Sequence, residues 1–365
     1  MRTALLVINF GGPRNLKEVE PFLYELFRDK DVIPLPGGAY AQELFADLIS
    51  ARRAPKTQRQ YSEIGGGSPL VETTFAQVAA LQQALHAEGI TPSIYVGMRY
   101  TRPSIREALA AIQAENVERL IVLALYPHYS FATSASSYNE VTKQMRDLNM
   151  AHLPVHFVPA WFDDPDYITA VSDTVKTALT RLPETVTPHL LFSAHGLPVS
   201  FIKRQDPYMS HVQDTMRLVC ADLGWRHTTS LSWQSRVGPV RWLSPATENE
   251  LTRLGSEGCK AVIVVPVSFV GDHIETLYEI DIEYQHVAHE AGIEHFVRAQ
   301  ALDCHPHLIR ALVAQVKKGL SPGACRPCVR CLLPKPQHVH KQKTCLDCGF
   351  KKPAHVLFEA GQQRQ

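Results

Sequence analysis

The sequence lacks a strong excess of charge, a long apolar run and a complete phosphate-binding glycine motif. Its 365 residues carry a net charge of +1, which argues against a general nucleic-acid-binding protein. Although 45% of the residues are hydrophobic, no stretch approaches the roughly 18 apolar residues of a membrane-spanning helix, so we expect a soluble or peripheral protein. The glycines at 11–12 and 65–67 complete neither GxGxxG nor GxxxxGK[ST], which argues against a nucleotide site.

Cysteine is sparse over most of the chain. Three of the eight cysteines, Cys220, Cys259 and Cys304, are isolated, and we interpret them as ordinary buried thiols. A targeting segment is also not evident, because a strand-like run begins at Ala4 and leaves no room for a cationic leader. The expected location is therefore cytoplasmic, in a prokaryote, with peripheral contact to the inner membrane as a further expectation.

Apolar, β-branched runs alternate with stretches of helical period, which is the βαβ pattern of parallel, doubly wound α/β sheets. The runs cover residues 4–10, 93–97, 120–125, 155–158, 190–193, 230–233 and 261–265. A break near residues 159–165, with 161–165 as linker, predicts a first domain over 1–160 and a second over 161–305. A helix is predicted over 306–318, and a small appendix over 320–365.

Two segments about eighty positions apart carry most of the candidate chemistry. They are SAHGLP at 193–198 and DHIETLYE at 272–279, and each follows an apolar run typical of a buried parallel strand. Because groups just past the carboxyl ends of such strands converge on one crevice, we expect His195, His273, Glu275 and Glu279 to lie together as bases or metal ligands.

Simpler interpretations of these residues stay open. His195 could be a turn histidine bonded to backbone, and Asp272 and Glu275 have capping-box spacing at the start of a helix running to Tyr284. Glu275, Glu279 and Glu283 repeat every four residues. They predict either a solvated acidic face or a line of carboxylates in which like charge raises at least one pKa.

Five cysteines fall in the last 41 residues, spaced C-x2-C-x2-C-x13-C-x2-C, and paired knuckles of this kind predict a four-ligand metal site. They are Cys325, Cys328, Cys331, Cys345 and Cys348. A zinc ribbon would use the last four, and an all-thiolate iron–sulfur cluster is equally compatible with the spacing.

The two segments, with WQSRVGP at 233–239 and Trp242 between them, resemble the signature segments of the ferrochelatase family. The similarity continues through NFGGP at 9–13, GGGSP at 65–69, GMRY at 97–100, YPHY at 126–129 and DPY at 206–208, and covers roughly residues 3–318. It implies two Rossmann-like, chelatase-type domains, with the 306–318 helix packed back on the first. It also implies insertion of Fe²⁺ into protoporphyrin IX to form protohaem, the terminal step of haem biosynthesis.

The resemblance implies roles for individual residues. His195 and Glu275 would form the catalytic centre and bind the substrate Fe²⁺, with His273 and Glu279 as supporting or proton-path groups. Porphyrin-binding positions carried over by match are Phe10, Arg52, Arg53, Tyr61, Met98, Arg99, Tyr129, Trp242 and Phe269. Each aromatic could equally be core. The 33–38 connection and NFGGP favour protoporphyrin over coproporphyrin.

For the tail, the resemblance slightly favours a 2Fe-2S cluster, and structural Zn²⁺ is the alternative. One ligand of the animal-type cluster comes from the second domain, where this chain has Ala170, so the ligands here would have to be local. Predicted partners are porphyrin, Fe²⁺, a membrane surface and a second copy of the chain, with no nucleic acid. The basic end of the apolar stripe at 44–56 suggests lipid contact, although an ordinary amphipathic helix fits equally.

Three other functions compete with this interpretation. The chain could be a chelatase for coproporphyrin or another metal, or a noncatalytic haem or iron carrier. A carrier needs a stable axial ligand but no base and carboxylate together, so the presence of both His195 and Glu275 argues against it. A redox or nucleic-acid module built on the tail is the third alternative.

Overall fold

The computed structural model describes residues 2–33, 38–236, 238 and 240–321, and in them two four-stranded parallel sheets. The first, in the order β2-β1-β3-β4, contains β1 (Thr3–Asn9), β2 (Ser93–Met98), β3 (Arg119–Ala124) and β4 (Val155–Phe157). The second, in the order β6-β5-β7-β8, contains β5 (His189–His195), β6 (Thr229–Gln234), β7 (Ala261–Pro266) and β8 (His295–Arg298). The predicted α/β class with doubly wound sheets is confirmed.

Helices cover the sheets. They are α1 (Val19–Arg28), α2 (Gly38–Glu63), α3 (Leu70–Ala87), α4 (Ile105–Ala114), α5 (Ser136–Asp147), α6 (Pro165–Leu179), α7 (Val199–Lys203), α8 (Tyr208–Asp222), α9 (Thr247–Ser256), α10 (Gln285–Glu290) and α11 (Pro306–Leu320). A 3₁₀ turn (Leu16–Glu18) precedes α1, and a π-helical turn (Phe131–Ala135) precedes α5. A ten-residue π-helix (Glu275–Tyr284) precedes α10 and is called the π-helix below. None of the helices within the described ranges is long and apolar enough to cross a membrane.

The central strands are buried on both faces, as parallel strands covered by helices must be. All six residues of β7 are buried, and one apolar cluster runs from Leu5 and Val7 of β1 to Ile263 and Val265 of β7. Helix α11 contacts α3, β3 and α6 through the fully buried Leu308 and its neighbours. This core is continuous across both sheets and so marks no boundary between two domains. The domain limits at 160 and 305 stay a prediction.

Two residues of the connection between the sheets, Trp161 and Asp164, are buried and anchor it. Trp161 is buried, and its Nε1 donates to the Ala124 carbonyl at 3.1 Å. Asp164 caps α6 by accepting from the Asp166 amide at 3.1 Å, and it also accepts from Gln315 of α11 at 2.7 Å. Residues 161–165 therefore hold α6 and α11 together.

The isolated cysteines are less buried than the sequence suggested. Cys304 is exposed, and Cys220 and Cys259 are half-buried, so their interpretation as buried thiols is wrong. They lie near the ends of elements, where a thiol meets solvent. The five tail cysteines, and the metal site predicted from them, lie outside the described residues.

Candidate active site

The carboxyl edge of the second sheet brings the two candidate segments together. His195 is the last residue of β5, and its backbone amide donates to Ser268 Oγ at 3.1 Å, just past the end of β7. The same Ser268 hydroxyl bonds the Tyr208 hydroxyl at 2.5 Å, which ties the end of β5 to α8. The π-helix then begins at Glu275, a few residues further along the chain. The convergence predicted from the strand pattern is therefore present.

His195 and Glu275 are in direct contact, with Nδ1 and Oε2 2.8 Å apart. Their side chains are 37% and 24% exposed, so both are reachable from solvent and partly desolvated. The capping-box alternative for Glu275 is not observed, because the Glu275 amide donates to an acceptor other than Asp272. The His273 amide donates to Thr276 Oγ1 at 3.0 Å, and the Glu275 amide donates to His273 Nδ1 at 3.1 Å. The Glu275 carboxylate is thereby free to face His195.

His195 and Glu275 each shift the pKa of the other. Burial alone would lower the pKa of His195, but the Glu275 charge and hydrogen bond outweigh it and raise that pKa. Burial likewise opposes ionisation of Glu275, but the charge and hydrogen bond of His195 lower its pKa well below the usual range. Each group therefore stabilises the charged form of the other, and together they hold one transferable proton.

His273 is a neutral imidazole that contacts the backbone of Glu275. Burial is the main cause that lowers its pKa, and its Nδ1 accepts a backbone hydrogen bond, which leaves the proton on Nε2. That Nε2 is buried with no hydrogen-bond partner in the described part of the chain. The Phe269 ring meets the two imidazoles edge-on, with its centroid 4.1 Å from that of His273 and 6.5 Å from that of His195.

Glu279 is the second carboxylate, one turn along the π-helix. Its Oε1 accepts from the Ser235 amide at 2.8 Å and the Tyr284 hydroxyl at 2.6 Å, and its Oε2 accepts from Gln234 Nε2 at 3.3 Å. Burial first, and the Glu275 charge second, raise the pKa of Glu279. The prediction that at least one carboxylate in this line has a raised pKa is confirmed. Glu279 is thus the less acidic of the two carboxylates, since the pKa of Glu275 is lowered.

Sequence reasoning did not assign roles to Gln234, Ser235 and Tyr284. Gln234 also donates to the Glu275 carbonyl at 3.1 Å, so it joins the two turns that carry the carboxylates. Ser235 has a φ of 64°, a left-handed conformation that turns its amide and hydroxyl toward Glu279. For Gln234 and Ser235 the WQS segment at 233–235 was the available signal.

Several predicted wall residues surround this centre. Trp242 lies over Gly196, where a Cβ would come 3.4 Å from the indole and 2.8 Å from the Gln234 carbonyl, so only glycine fits. Trp242 Nε1 is buried without a hydrogen-bond partner among the described residues. Phe10 and Tyr61 belong to one apolar cluster with Ile274, the residue before the π-helix. Burial, and then the nearby Glu275 charge, raise the pKa of Tyr61.

The other predicted porphyrin positions have partners of their own. The Arg99 guanidinium donates to Asp29 Oδ2 at 2.6 Å and to Ser136 Oγ at 2.9 Å. Arg53 lies over the Phe27 ring at 5.7 Å, and Arg52 is exposed. Met98 is fully buried against Val71 and Val96, and Tyr129 is buried edge-on to Phe131. None of these contacts joins the five residues to the His195–Glu275 pair.

Comparison with known proteins gives a consistent family. The ferrochelatase family model matches residues 2–320. A ferrochelatase of Synechocystis sp. is 43% identical over 326 residues, covering 89% of this chain and 84% of that protein. A ferrochelatase of Synechococcus elongatus is 42% identical over 344 residues, covering 94% and 89%. The solved structure of SirB from Bacillus subtilis with Fe³⁺ has a TM-score of 0.52 at 13% identity over 87% of this chain and 95% of that one, which shows a shared fold alone.

Proposed function

The chain belongs to the ferrochelatase family, and from that premise we propose that it inserts Fe²⁺ into protoporphyrin IX at the His195–Glu275 cleft, yielding protohaem. It is thus a porphyrin metal chelatase of haem biosynthesis. The observation that carries the site assignment is the 2.8 Å contact between His195 Nδ1 and Glu275 Oε2 at the carboxyl edge of the second sheet.

The reaction releases two pyrrole protons for each Fe²⁺ that enters the ring. The pair first loses its own proton to solvent. His195 then accepts one pyrrole proton, and Glu275 stabilises the resulting imidazolium. Glu279 accepts the second pyrrole proton, because burial and the charge of Glu275 raise its pKa above that of an ordinary carboxyl. Before it accepts its pyrrole proton, His195 is a neutral imidazole, and with the Glu275 carboxylate it replaces water ligands of the approaching Fe²⁺.

The aromatic residues near the His195–Glu275 pair orient the macrocycle. Trp242 and Phe269 present aromatic surface beside the pair, and Phe10 and Tyr61 extend it from the first half of the chain. Arg52 and Arg53 on α2 supply cations for the propionates. Preference for protoporphyrin over coproporphyrin is part of this proposal and rests on the sequence resemblance.

The decisive assay mixes purified protein with Fe²⁺ and either porphyrin under anaerobic conditions and follows the absorption spectrum. We expect turnover with protoporphyrin, loss of at least 10²-fold in His195→Ala, and none in the control His286→Ala, an exposed histidine on α10. A wild-type protein that binds haem tightly but metallates neither porphyrin would instead be a carrier. Near-normal turnover of folded His195→Ala would remove His195 from the mechanism.

We also propose peripheral contact with an anionic membrane on its cytoplasmic side. On α2, Tyr40, Leu44 and Leu48 are 74%, 53% and 73% exposed and repeat every four residues, ahead of Arg52 and Lys56. Sedimentation with anionic vesicles should be lost in Leu44→Ser/Leu48→Ser. It should be retained in Phe75→Ser, which removes a comparably exposed ring from α3. Equal binding by both variants would contradict this assignment.

For the tail we propose a 2Fe-2S cluster held by four of its five cysteines, on the support of their spacing and the family resemblance. About two irons and two sulfides per chain, with visible absorption, should be found after anaerobic purification. A colourless protein with about one zinc would establish the alternative ribbon.

A further inference from the structure

The π-helix needs support from outside its own hydrogen bonds. Most π-helical segments in proteins are single turns, and this one runs for ten residues from Glu275 to Tyr284. It carries both carboxylates of the proposed mechanism, so any slip in its register would move Glu275 relative to His195.

Arg298, the last residue of β8, contacts both the π-helix and the turn that precedes it. Its Nε and Nη2 donate to the two carboxylate oxygens of Asp281, each at 2.8 Å, in the bidentate geometry that fixes orientation. Its Nη1 donates to Asp272 Oδ1 at 2.9 Å. The Arg298 side chain is only 10% exposed, which distinguishes this cluster from an ordinary surface ion pair.

The contact to Asp272 continues to the catalytic carboxylate through short steps. Asp272 Oδ1 accepts from the Thr276 hydroxyl at 2.8 Å, and Thr276 is buried. Thr276 Oγ1 accepts from the His273 amide, and His273 Nδ1 accepts from the Glu275 amide. The Arg298 guanidinium therefore contacts both ends of the segment 272–281, and Glu275 lies within that segment.

We propose that Arg298 is a positioning residue for metal insertion, holding the π-helix at the register in which Glu275 meets His195. This inference rests on the proposed function and deepens it. Arg298 acts through Asp272 and Asp281, both charged partners lying on the chain it positions, and it is not expected to touch the porphyrin or the iron.

A space beside the guanidinium makes the proposal testable without unfolding the protein. A cavity of about 280 Å³ is lined by Arg181, Asp281, Gln285, Phe296, Arg298 and Gln300. Water can enter it, so a shorter side chain at 298 need not leave Asp281 unsolvated. In Arg298→Ala the enlarged space also admits free guanidinium.

The kinetic test compares Arg298→Gln, Arg298→Lys and Asp281→Asn with wild type. We expect kcat to fall about tenfold or more in Arg298→Gln with little change in the porphyrin KM, because Glu275 is displaced while the aromatic walls are intact. Lysine should restore part of the rate, since one ammonium cannot hold both carboxylates. Asp281→Asn should lower kcat, and its combination with Arg298→Gln should be less than additive.

Arg253→Gln is a control matched in hydrogen-bond geometry, on an arginine whose side chain is more exposed, at 45%. Arg253 forms the same fork, with Nε and Nη2 on Glu250 at 3.0 and 2.7 Å and Nη1 on Glu257 at 2.5 Å, but it lies on α9. Its removal should leave kcat unchanged. Millimolar guanidinium should raise the kcat of Arg298→Ala, and the same concentration of sodium chloride should not.

Amide hydrogen exchange separates this inference from the proposed function. Residues 273–284 should exchange faster in Arg298→Gln than in wild type, while β5 is unchanged. Inactive wild-type protein would overturn the proposed function, and the exchange result would still decide whether Arg298 holds the helix. Wild-type kcat in folded Arg298→Gln, or unchanged exchange over 273–284, would overturn the inference.

Discussion

At the residue scale, His195 and Glu275 form a pair whose contribution to stability depends on pH in a defined window. The raised pKa of His195 stabilises the fold fully below about 6.5, the unfolded value, and that contribution is lost as the pH rises through the folded value. The lowered pKa of Glu275 stabilises above about 4.5 and is lost as the pH falls. The pair therefore stabilises most between these two limits.

Glu275→Gln tests this coupling directly. The amide can still bond His195 but carries no charge, so we expect the pKa of His195 to fall and the stability difference from wild type to be largest between about pH 4.5 and 6.5. NMR titration of the His195 ring proton and denaturant unfolding across pH measure the two effects. Turnover should drop severely. An unchanged His195 titration would mean that Glu275 does not set the charge of the pair.

At the element scale, the sequence predicted the sheets well because buried parallel strands are nearly pure apolar runs. The run at 261–265 became β7, extended by one residue, and 4–10 became β1, shifted by one. Strand β8 was missed because HFVR at 295–298 is short and mixed in character. Its Arg298 supports the π-helix, so the network around that residue was missed with the strand.

The sequence predicted which residues meet in the site, but not the backbone conformation that holds them. The His195 and Glu275 segments could be paired because parallel strands end at one edge. The capping box is absent because the Glu275 amide donates to His273 Nδ1 instead of Asp272, and the Glu275 carboxylate contacts His195. A spacing of four residues does not separate an α-helix from a π-helix, since that choice depends on tertiary partners such as Arg298. The left-handed conformation of Ser235 likewise has no signal in its residue type.

The loop after β3 and the start of α8 are joined by one buried carboxylate, which gives an element-scale prediction. Asp206 Oδ2 accepts from the Phe131 amide at 2.7 Å and from Ser130 Oγ at 2.9 Å, while Oδ1 accepts from the Tyr208 amide at 2.9 Å. Asparagine offers only one acceptor oxygen, so Asp206→Asn should lower the free energy of unfolding by about 1–3 kcal/mol.

Denaturant unfolding measures the loss, with Asp214→Asn on α8 as control. Asp214 contacts Arg217 at 3.4 Å with its side chain 51% exposed, and its replacement should cost less than about 1 kcal/mol. Because Tyr208 also bonds Ser268, which holds the His195 amide, Asp206→Asn should also reduce turnover per folded molecule. Equal stability of the two variants would show that the carboxylate does not join these elements.

At the scale of the whole molecule, the two sheets share one core that α11 completes. Leu308, Leu312 and Val316 are each at most 1% exposed, and the helix that carries them contacts both α3 and α6. Burial of each is worth about 1.5–3 kcal/mol, which together is comparable to the total stability of about 5–15 kcal/mol expected of a folded protein. A chain ending at 305 should therefore fail to fold.

A chain ending at 321 should behave differently, because it keeps α11 and every side chain to which the mechanism assigns a role. We expect it to fold and to metallate porphyrin at a rate within about threefold of full length, since its catalytic pair and π-helix are unaltered, while any metal bound by the tail cysteines is absent. Far-ultraviolet circular dichroism, metal analysis and the anaerobic insertion assay measure the three properties on the same preparations. The matched full-length variant Cys345→Ser/Cys348→Ser should lose the tail metal and keep its turnover. If either protein is folded and binds porphyrin but cannot insert iron, the tail takes part in the reaction, and the assignment of catalysis to the described fold alone is wrong.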